Sequence, residues 1–239
     1  MSPLLRKSDR SRHGLDATQL TVAWQSASLL LGYPDQQLID RLDLIVRASH
    51  ELPRRLGELL RATAGNLAGT PLAELEAEYV ETFDSRRRHN LFLTYFAYGD
   101  TRKRGGALLR FKQTYLASGF ELDETELPDH LCVVLEYAAT IDRDAGRRLL
   151  LEHRAGLELL RRGLTDSGSR WAGAVEAVTA TLPPLRGDEM EAVQRLIAEG
   201  PPDEEVGLTP YGAAFDTGPA QPASSSPIAL PMPTFPGAR

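Results

Sequence analysis

The sequence predicts an all-α protein, built as a single helical domain of about eight to ten helices. Through most of the 239 residues, apolar side chains recur at the i, i+3, i+4 and i+7 spacing of a helix. The alternating apolar and polar runs of half-buried strands are absent, as are the Asn-Gly and Asp-Gly pairs that mark hairpins. No internal repeat of fixed period occurs, which excludes a solenoid.

The first two helices follow from apolar faces that end at turn residues. Asp16 can cap the first helix, and Gly32 followed by Pro34 ends it. Its apolar face consists of Leu20, Ala23, Trp24, Ala27, Leu30 and Leu31. A second helix is expected from Asp35, with an inward face of Leu38, Ile39, Leu42, Ile45 and Val46.

The next two predicted helices carry opposite charges. One begins after Pro71, and its apolar side consists of Leu72, Leu75, Tyr79, Val80 and Phe83. Much of its remaining surface is acidic, with Glu74, Glu76, Glu78 and Glu81. The other helix is expected from Thr101 to Ser118 behind Asp100 as its cap, with Ala107, Leu108, Phe111 and Tyr115 inward.

Four more patterns complete the domain, which we expect to span residues 15–200. Pro128 and Asp129 open a helix whose inward stripe is Leu131, Val134, Leu135, Ala138 and Ile141. An Arg-rich pattern from Ala145 to Leu164 predicts one long helix, and shorter ones are expected from Trp171 to Leu182 and from Glu189 to Ile197. Residues 1–14 are expected to form a flexible arm. Residues 201–239 hold 9 of the 16 prolines and are expected to be a mostly disordered tail.

Composition excludes several functions. The net charge of -6 disfavours a nucleic-acid binder, which needs a basic excess to neutralise phosphates. Cys132 is the single cysteine, so neither an intrachain disulfide nor a CxxC zinc ribbon can form. No run in the folded part approaches the roughly 18 apolar residues of a membrane span, and we expect a cytoplasmic protein without direct membrane insertion.

Enzyme motifs are also missing. The sequence contains no GxxxxGK[ST], GxGxxG, GxSxG or HExxH, and its five histidines stand singly. We therefore expect no catalytic residue and no metal site. Cys132 lies on an apolar helix, where a cysteine usually acts as a small hydrophobic residue.

Charge is ordered along the chain as acidic, then basic and aromatic, then acidic. The acidic stretches are residues 72–84 and 121–129, and the basic-aromatic stretch is 85–112. These charges could pair with one another across adjacent helices. The basic-aromatic stretch could instead hold an anionic cofactor, or the acidic stretches could line a groove for a basic amphipathic peptide that meets Tyr79 and Phe83. Composition does not choose among these alternatives.

The order of four short motifs resembles a known family. These are TFD at residues 82–84, LTY at 93–95, GDTRKRG at 99–105 and LPDH at 127–130. Together with the opening WQSASLLLGYPDQQL, they resemble the NarJ-type assembly chaperones of respiratory nitrate reductase, within the TorD/DmsD group of redox-enzyme maturation proteins. The resemblance extends over about residues 20–212.

This resemblance implies a cytoplasmic chaperone with no enzymatic activity and no cofactor of its own. Its expected partner is the apo catalytic (alpha) subunit of respiratory nitrate reductase, bound mainly through that subunit's N-terminal segment. Binding would prevent premature membrane anchoring and permit insertion of the molybdenum cofactor. The residues expected to contact the client peptide are Tyr79, Phe83, Asp84, Glu126, Asp129, His130 and Glu136.

Two interpretations of the basic-aromatic block remain open. It could form a structural turn in which Asp100 caps a helix and Arg102 or Arg104 bonds the carboxylates around Asp84. It could instead bind an anionic ligand, such as the pyrophosphate of the pterin cofactor, which would make the protein a helical adaptor for that cofactor or for another protein. The residues concerned are Arg86, Arg87, Arg88, Asp100, Arg102 and Arg104.

His130 could also make client affinity depend on pH.

Overall fold

The all-α class is confirmed by a computed structural model, which describes residues 14–123 and 126–199. Within those residues no strand forms, and an isolated antiparallel bridge joins Phe92 to His130. The expected tail and all of the expected arm except Gly14 lie outside the described residues. The helices are α1 Ala17–Leu31, α2 Gln36–Ala48, α3 Arg54–Ala68, α4 Leu72–Phe83, α5 Tyr95–Tyr98, α6 Arg102–Ala117, α7 Leu131–Thr140, α8 Arg143–Glu152, α9 Arg154–Asp166, α10 Ala172–Ala180 and α11 Asp188–Glu199.

The described residues hold eleven α-helices, one more than the upper end of the expected range. Sequence patterns did not predict α3 or the single turn of α5. The long pattern from Ala145 to Leu164 is two helices, because His153 leaves the helical region with φ -105° and ψ 20°. The break lets each part pack separately. A Cβ at Gly146 would meet Ala138 of α7, and one at Gly156 would lie 2.8 Å from the Phe96 side chain.

Helix α1 lies at the centre of the fold, and its predicted buried face is confirmed. Asp16 caps it by accepting a hydrogen bond from the Gln19 N–H at 2.9 Å. The buried indole of Trp24 donates to the Thr181 hydroxyl at 2.9 Å, so its one polar group is satisfied. Burial of a side chain of this size contributes about 1.5–3 kcal/mol or more to folding.

Helices α1 and α7 run antiparallel. The Thr21 hydroxyl donates to the Ala139 carbonyl at 3.3 Å, and the Ser28 hydroxyl donates to the Cys132 carbonyl at 2.9 Å. Residue numbers therefore rise along α1 as they fall along α7. Side-chain hydroxyls at both ends of this contact fix the register of the pair.

Helix α4 packs through an aromatic cluster. Tyr79 and Phe83 are buried, and both rings contact the ring of the fully buried Trp171, with centroids 5.5 and 5.4 Å away. The Tyr79 hydroxyl donates to the Leu31 carbonyl at the end of α1, at 2.9 Å. The prediction that Val80 faces inward is wrong. This residue is 42% exposed, because it lies about 100° around the helix from Tyr79.

Candidate functional site

The LTY and LPDH motifs run side by side. The Leu93 N–H donates to the Asp129 carbonyl at 3.0 Å, and the Leu131 N–H donates to the Leu91 carbonyl at 2.9 Å. The ring of Phe92 meets the ring of His130 edge to face, with centroids 5.1 Å apart. Two motifs that are more than 30 residues apart in the sequence therefore form one structural unit.

A buried charge at Asp129 ties the GDTRKRG motif to this unit. The Asp129 side chain has no exposed surface. Its Oδ2 accepts hydrogen bonds from the Thr94 N–H at 3.2 Å and from the Thr94 hydroxyl, and it pairs with Arg104 Nη2 at 3.4 Å. Arg104 Nε also donates to the Thr94 hydroxyl at 3.0 Å. A buried carboxylate needs such partners, because desolvation of a lone charge is costly.

The prediction that Asp100 caps α6, and that Arg102 or Arg104 bonds the carboxylates around Asp84, is wrong. The N-cap residue of α6 is Thr101, which makes no side-chain capping bond. Asp100 instead pairs with Arg104 Nη1 at 3.0 Å, one helical turn away. Arg104 also pairs with Asp129 and lies over the Phe92 ring at 5.3 Å. It therefore does not bond the carboxylates around Asp84.

The other arginines of the basic-aromatic block are exposed. Arg86, Arg87 and Arg88 are exposed around a 3-10 turn, Arg87–His89. Arg86 pairs with Glu81 of α4 at 3.3 Å. Sequence analysis missed His89, whose buried Nδ1 lies 3.0 Å from the Thr82 carbonyl and holds this turn against α4. Arg102 is exposed at the first position of α6.

A half-exposed strip follows the contact between α1 and α7, and we call it the α1–α7 seam. It is formed by Val22, Gln25 and Leu29 of α1 and by Cys132 and Ala139 of α7. Tyr33, just beyond the end of α1, is 54% exposed and rests its ring against Tyr79, with centroids 5.4 Å apart. The seam therefore offers an apolar strip with an aromatic ring at one end.

Two carboxylates flank the seam near Cys132. Glu126 and Glu136 are exposed, and within the described residues neither side chain has an ion-pair partner. Burial raises the pKa of the Cys132 thiol to about 12, and the charges of Glu136 and Glu126 add to that effect. Both glutamates therefore lie within electrostatic reach of the Cys132 thiol. Asp84 lies near Tyr79, since its charge adds to burial in raising the pKa of Tyr79.

His130 is half-buried and acts as a cap. Its Nδ1 accepts a hydrogen bond from the Cys132 N–H at 3.3 Å, at the start of α7. Burial lowers the pKa of His130, and the nearby charge of Asp129 opposes this only in part. The ring is therefore neutral near pH 7, and neutrality is what its acceptor role in the cap requires.

The predicted client-contact residues thus divide into two groups. Asp84, Glu126, Glu136 and, in part, His130 reach the surface, whereas Asp129 is interior. Tyr79 and Phe83 are buried beneath the surface, so the exposed ring at this place is Tyr33 instead. Sequence analysis missed Tyr33 as a site residue, although its place between Gly32 and Pro34 was a signal that it lies in an exposed turn.

The acidic surface of α4 is partly neutralised within the chain. Arg170 Nε lies 2.6 Å from Glu78 Oε2, and Arg170 Nη2 lies 3.6 Å from Glu74 Oε1. With the Glu81–Arg86 pair, three of the four α4 glutamates have intramolecular partners. The interpretation that the acidic and basic-aromatic stretches pair with each other is confirmed for Glu81 and Arg86, whereas Glu74 and Glu78 pair with Arg170 outside both stretches.

Other site types receive no support from the described part of the chain. Residues 14–123 and 126–199 contain no group of three or more His, Cys, Asp or Glu side chains that could bind a metal. None of the helices described there is long and apolar enough to cross a bilayer. A surface cavity of about 630 Å³ between α3, α9 and α10 contains none of the predicted site residues, and its Arg55 and Arg161 pair with Glu176 and Glu158.

The fold recurs in a solved structure. It matches the crystal structure of a protein from Archaeoglobus fulgidus named as a redox enzyme maturation protein, with a TM-score of 0.50 and 21% identity over 74% of this chain and 98% of that one. The two proteins therefore share an all-helical fold. More specifically, residues 49–177 match the family model described as nitrate reductase delta subunit, and the chain belongs to this family.

Individual relatives agree with this assignment. The chain is 33% identical over 172 residues to the Bacillus subtilis NarJ, named as a nitrate reductase molybdenum cofactor assembly chaperone, covering 70% of this chain and 92% of that protein. It is 32% identical over 148 residues to the Escherichia coli NarJ, covering 61% and 63%. It is 39% identical over 160 residues to the nitrate reductase-like protein NarX of Mycobacterium tuberculosis, where it covers 67% of this chain but only 24% of NarX. The chain thus spans about a quarter of NarX.

Proposed function

We propose that this protein is a system-specific cytoplasmic assembly chaperone for respiratory nitrate reductase. It binds the apo catalytic (alpha) subunit, mainly at that subunit's N-terminal segment, prevents premature membrane anchoring and permits insertion of the molybdenum cofactor. It has no catalytic activity of its own. Membership of the delta subunit family and the names of the NarJ relatives support the chaperone role.

The observation that carries the binding proposal is the α1–α7 seam with its flanking carboxylates. A basic amphipathic helix can place its apolar side on Val22, Leu29 and Ala139 and its cations beside Glu126 and Glu136. These carboxylates have no ion-pair partner within the described residues, so binding need not break an existing pair. Tyr33 adds an exposed aromatic ring of the kind that anchors peptides.

Such a surface favours reversible capture. Exposed ion pairs contribute about 0–1 kcal/mol each and weaken with salt, so they accelerate encounter more than they increase affinity. Most of the affinity then comes from the apolar strip. Because this strip is only half exposed, the apolar area that the client can bury there is limited. Release of the client, which a chaperone requires, stays possible.

Titration calorimetry with a peptide covering about 20 residues of the client N-terminus tests the proposal. We expect saturable one-to-one binding that weakens with salt. Glu126→Lys/Glu136→Lys should weaken it by about tenfold or more. The matched control Asp40→Lys/Asp43→Lys makes the same charge change on exposed positions of α2 and should bind almost as well as the wild type.

Two results would count against the seam. If both charge variants lose binding equally, the effect is one of net charge and not of place. If Tyr33→Ala and the Glu126/Glu136 variant both bind normally, the client contacts another surface. Circular dichroism of each variant excludes unfolding as the cause.

A second candidate is a helical adaptor that binds an anionic cofactor or another protein through the block from Arg86 to Arg104. The exposure of Arg88 and Arg102 favours it, whereas the structural pairing of Arg104 does not. Loss of function in Arg88→Glu/Arg102→Glu, with peptide binding intact at the seam, would favour this second function.

A further inference from the structure

The solvent-exposed side of helix α6 is itself amphipathic. Ala107, Phe111 and Tyr115 form the buried stripe. At about 100° per residue, the line directly opposite is Arg102, Gly106, Leu109, Gln113 and Leu116, and all five are exposed. This outward line, with the residues beside it, is called the α6 outer face below.

The α6 outer face is apolar at its centre and cationic at its edges. Leu109 and Leu116 are 55% and 60% exposed. Lys112 lies on one side of them, with Lys103 and Arg110 on the other. Within the described residues, neither lysine has an ion-pair partner, and Arg110 contacts only the Tyr98 hydroxyl, at 3.1 Å.

Two glycines mark the same face. A Cβ at Gly105 or Gly106 would meet nothing within 4 Å, so no contact that the structure describes requires glycine there. Each glycine nevertheless lowers the stability of a helix relative to alanine. A helix packed against this face would gain from them, because glycine permits close approach of a second backbone.

Helix α4 presents the complementary surface. Its outward line, opposite the buried Leu75, Tyr79 and Phe83, contains the small residues Ala73 and Ala77 and ends at Asp84. The 42% exposed Val80 and the exposed Glu74 and Glu81 flank this line. We call these residues the α4 outer face.

We infer that the α6 outer face of one molecule docks on the α4 outer face of a second copy of this chain. Leu109 and Leu116 would pack on the small residues of α4, while Lys103 and Lys112 would meet its carboxylates. The two lines have similar lengths, about 21 Å for residues 102–116 and about 17 Å for residues 73–84. Each copy carries both faces, so one molecule can make this contact once through α6 and once through α4.

The intramolecular pairs of α4 do not prevent this docking. Glu81 and its partner Arg86 have side chains that are 64% and 50% exposed, and Glu74 is 59% exposed. Exposed pairs of this kind are weak, so they can exchange partners at little cost. The inference concerns contacts between copies and not the client, and the residue that it shares with the predicted client contacts is Asp84.

An anionic membrane surface is a less suitable occupant. The large exposed apolar side chains described on α6 are Leu109 and Leu116, which is a narrow apolar strip for insertion between lipids. A bilayer also gains nothing from the glycines. The pattern of small, apolar and charged positions matches a second helix better.

Sedimentation velocity with two charge-reversed variants tests the inference. Lys103→Glu/Lys112→Glu makes α6 acidic, and Glu81→Lys/Asp84→Lys makes α4 basic. Each variant alone should associate at least about tenfold more weakly than the wild type, because both of its docking faces carry the same charge. An equimolar mixture of the two should associate again, since each acidic face then meets a basic one. Arg41→Glu/Arg47→Glu on α2 is the matched control and should behave like the wild type.

Three results would overturn the inference. The first is a wild-type protein that stays monomeric at about 0.1 mM in low salt, a concentration at which weak dimers form. The second is a mixture of variants that associates no better than either one alone. The third is binding of monomeric protein to vesicles of phosphatidylglycerol that Lys103→Glu/Lys112→Glu abolishes. Circular dichroism spectra confirm that each variant is folded before it is scored.

Discussion

Replacement of Arg104 by methionine should destabilise the protein far more than loss of a surface charge. Methionine keeps most of the side-chain length but removes the only cation that the structure pairs with Asp129 among the described residues. The two hydrogen bonds from Thr94 would remain, and the carboxylate would stay in the interior without a counter-charge. His153 could not replace the cation, because burial lowers its pKa to about 4 and keeps it neutral near pH 7.

The magnitude follows from the burial of the two partners. Removal of one member of a buried ion pair costs about 3–5 kcal/mol. The Asp129 side chain is 0% exposed, which favours a large effect, whereas Arg104 is 14% exposed and the pair is rather long at 3.4 Å. We therefore expect the lower end of the range, about 3 kcal/mol. Asp129 Oδ1, which has no hydrogen-bond partner among the described residues, leaves little to compensate the loss.

A double-mutant cycle measured by urea unfolding separates this buried pair from other losses. Arg104→Met/Asp129→Asn removes both charges and keeps an acceptor for Thr94, so it should be about 2 kcal/mol more stable than Arg104→Met alone. Asp100→Asn removes the exposed partner of Arg104 and serves as the control, with an expected cost below about 1 kcal/mol.

The reasoning is refuted if Arg104→Met lies within about 1 kcal/mol of the wild type, or if the double variant is no more stable than the single one. Peptide binding by the folded variants gives a second readout. If Asp129→Asn is folded but no longer binds the client peptide, Asp129 contacts the client directly and its role is not only structural.

Three further predictions concern single sites. Gly105→Ala and Gly106→Ala should each raise the free energy of unfolding by about 0.5–1 kcal/mol in urea titrations, and unchanged or lower stability would contradict the open space found there. The pKa of His153 falls from 6.5 to about 4 on folding, so the unfolded chain binds the proton first as the pH falls. The free energy of unfolding should therefore be at its full value above pH 6.5 and fall by roughly 3 kcal/mol towards pH 4. His153→Gln should reduce this dependence on pH. With a pKa near 12, the Cys132 thiol should react with iodoacetamide far more slowly in the native protein than in urea, and equal rates would show that it is accessible and ionised.

Sequence periodicity predicted the helices whose apolar faces are continuous. The six residues assigned to the inner face of α1 are all buried, and Asp16 caps α1 as expected. The second helix begins behind Asp35, which the structure shows to be its cap. The break at His153 was not predictable in this way, since no glycine or proline interrupts the helical pattern there. On either side of the break the two helices pack on different elements, α8 against Ala138 and α9 against Phe96.

In the candidate site, too, the sequence predicted some features and not others. The sequence displayed the charges but not their partners, because pairing depends on which distant elements the fold brings together. Asp129 was predicted to meet a client at an acidic turn, yet Arg104, 25 residues earlier, holds it in the interior. Glu126 and Glu136 carry the same charge and remain at the surface. Residue type could not distinguish these two outcomes.

The central position of α1 sets the order in which the protein can become functional during synthesis. The Ser28 hydroxyl bonds a carbonyl 104 residues later, and the Trp24 indole bonds a hydroxyl 157 residues later. Helix α1 therefore leaves the ribosome long before α7 and α10 exist to cover its apolar face. Contacts so distant in the chain form slowly and late. The α1–α7 seam is consequently absent from the nascent chain until translation has passed α7, and α1 itself is exposed to aggregation or to other chaperones during that interval.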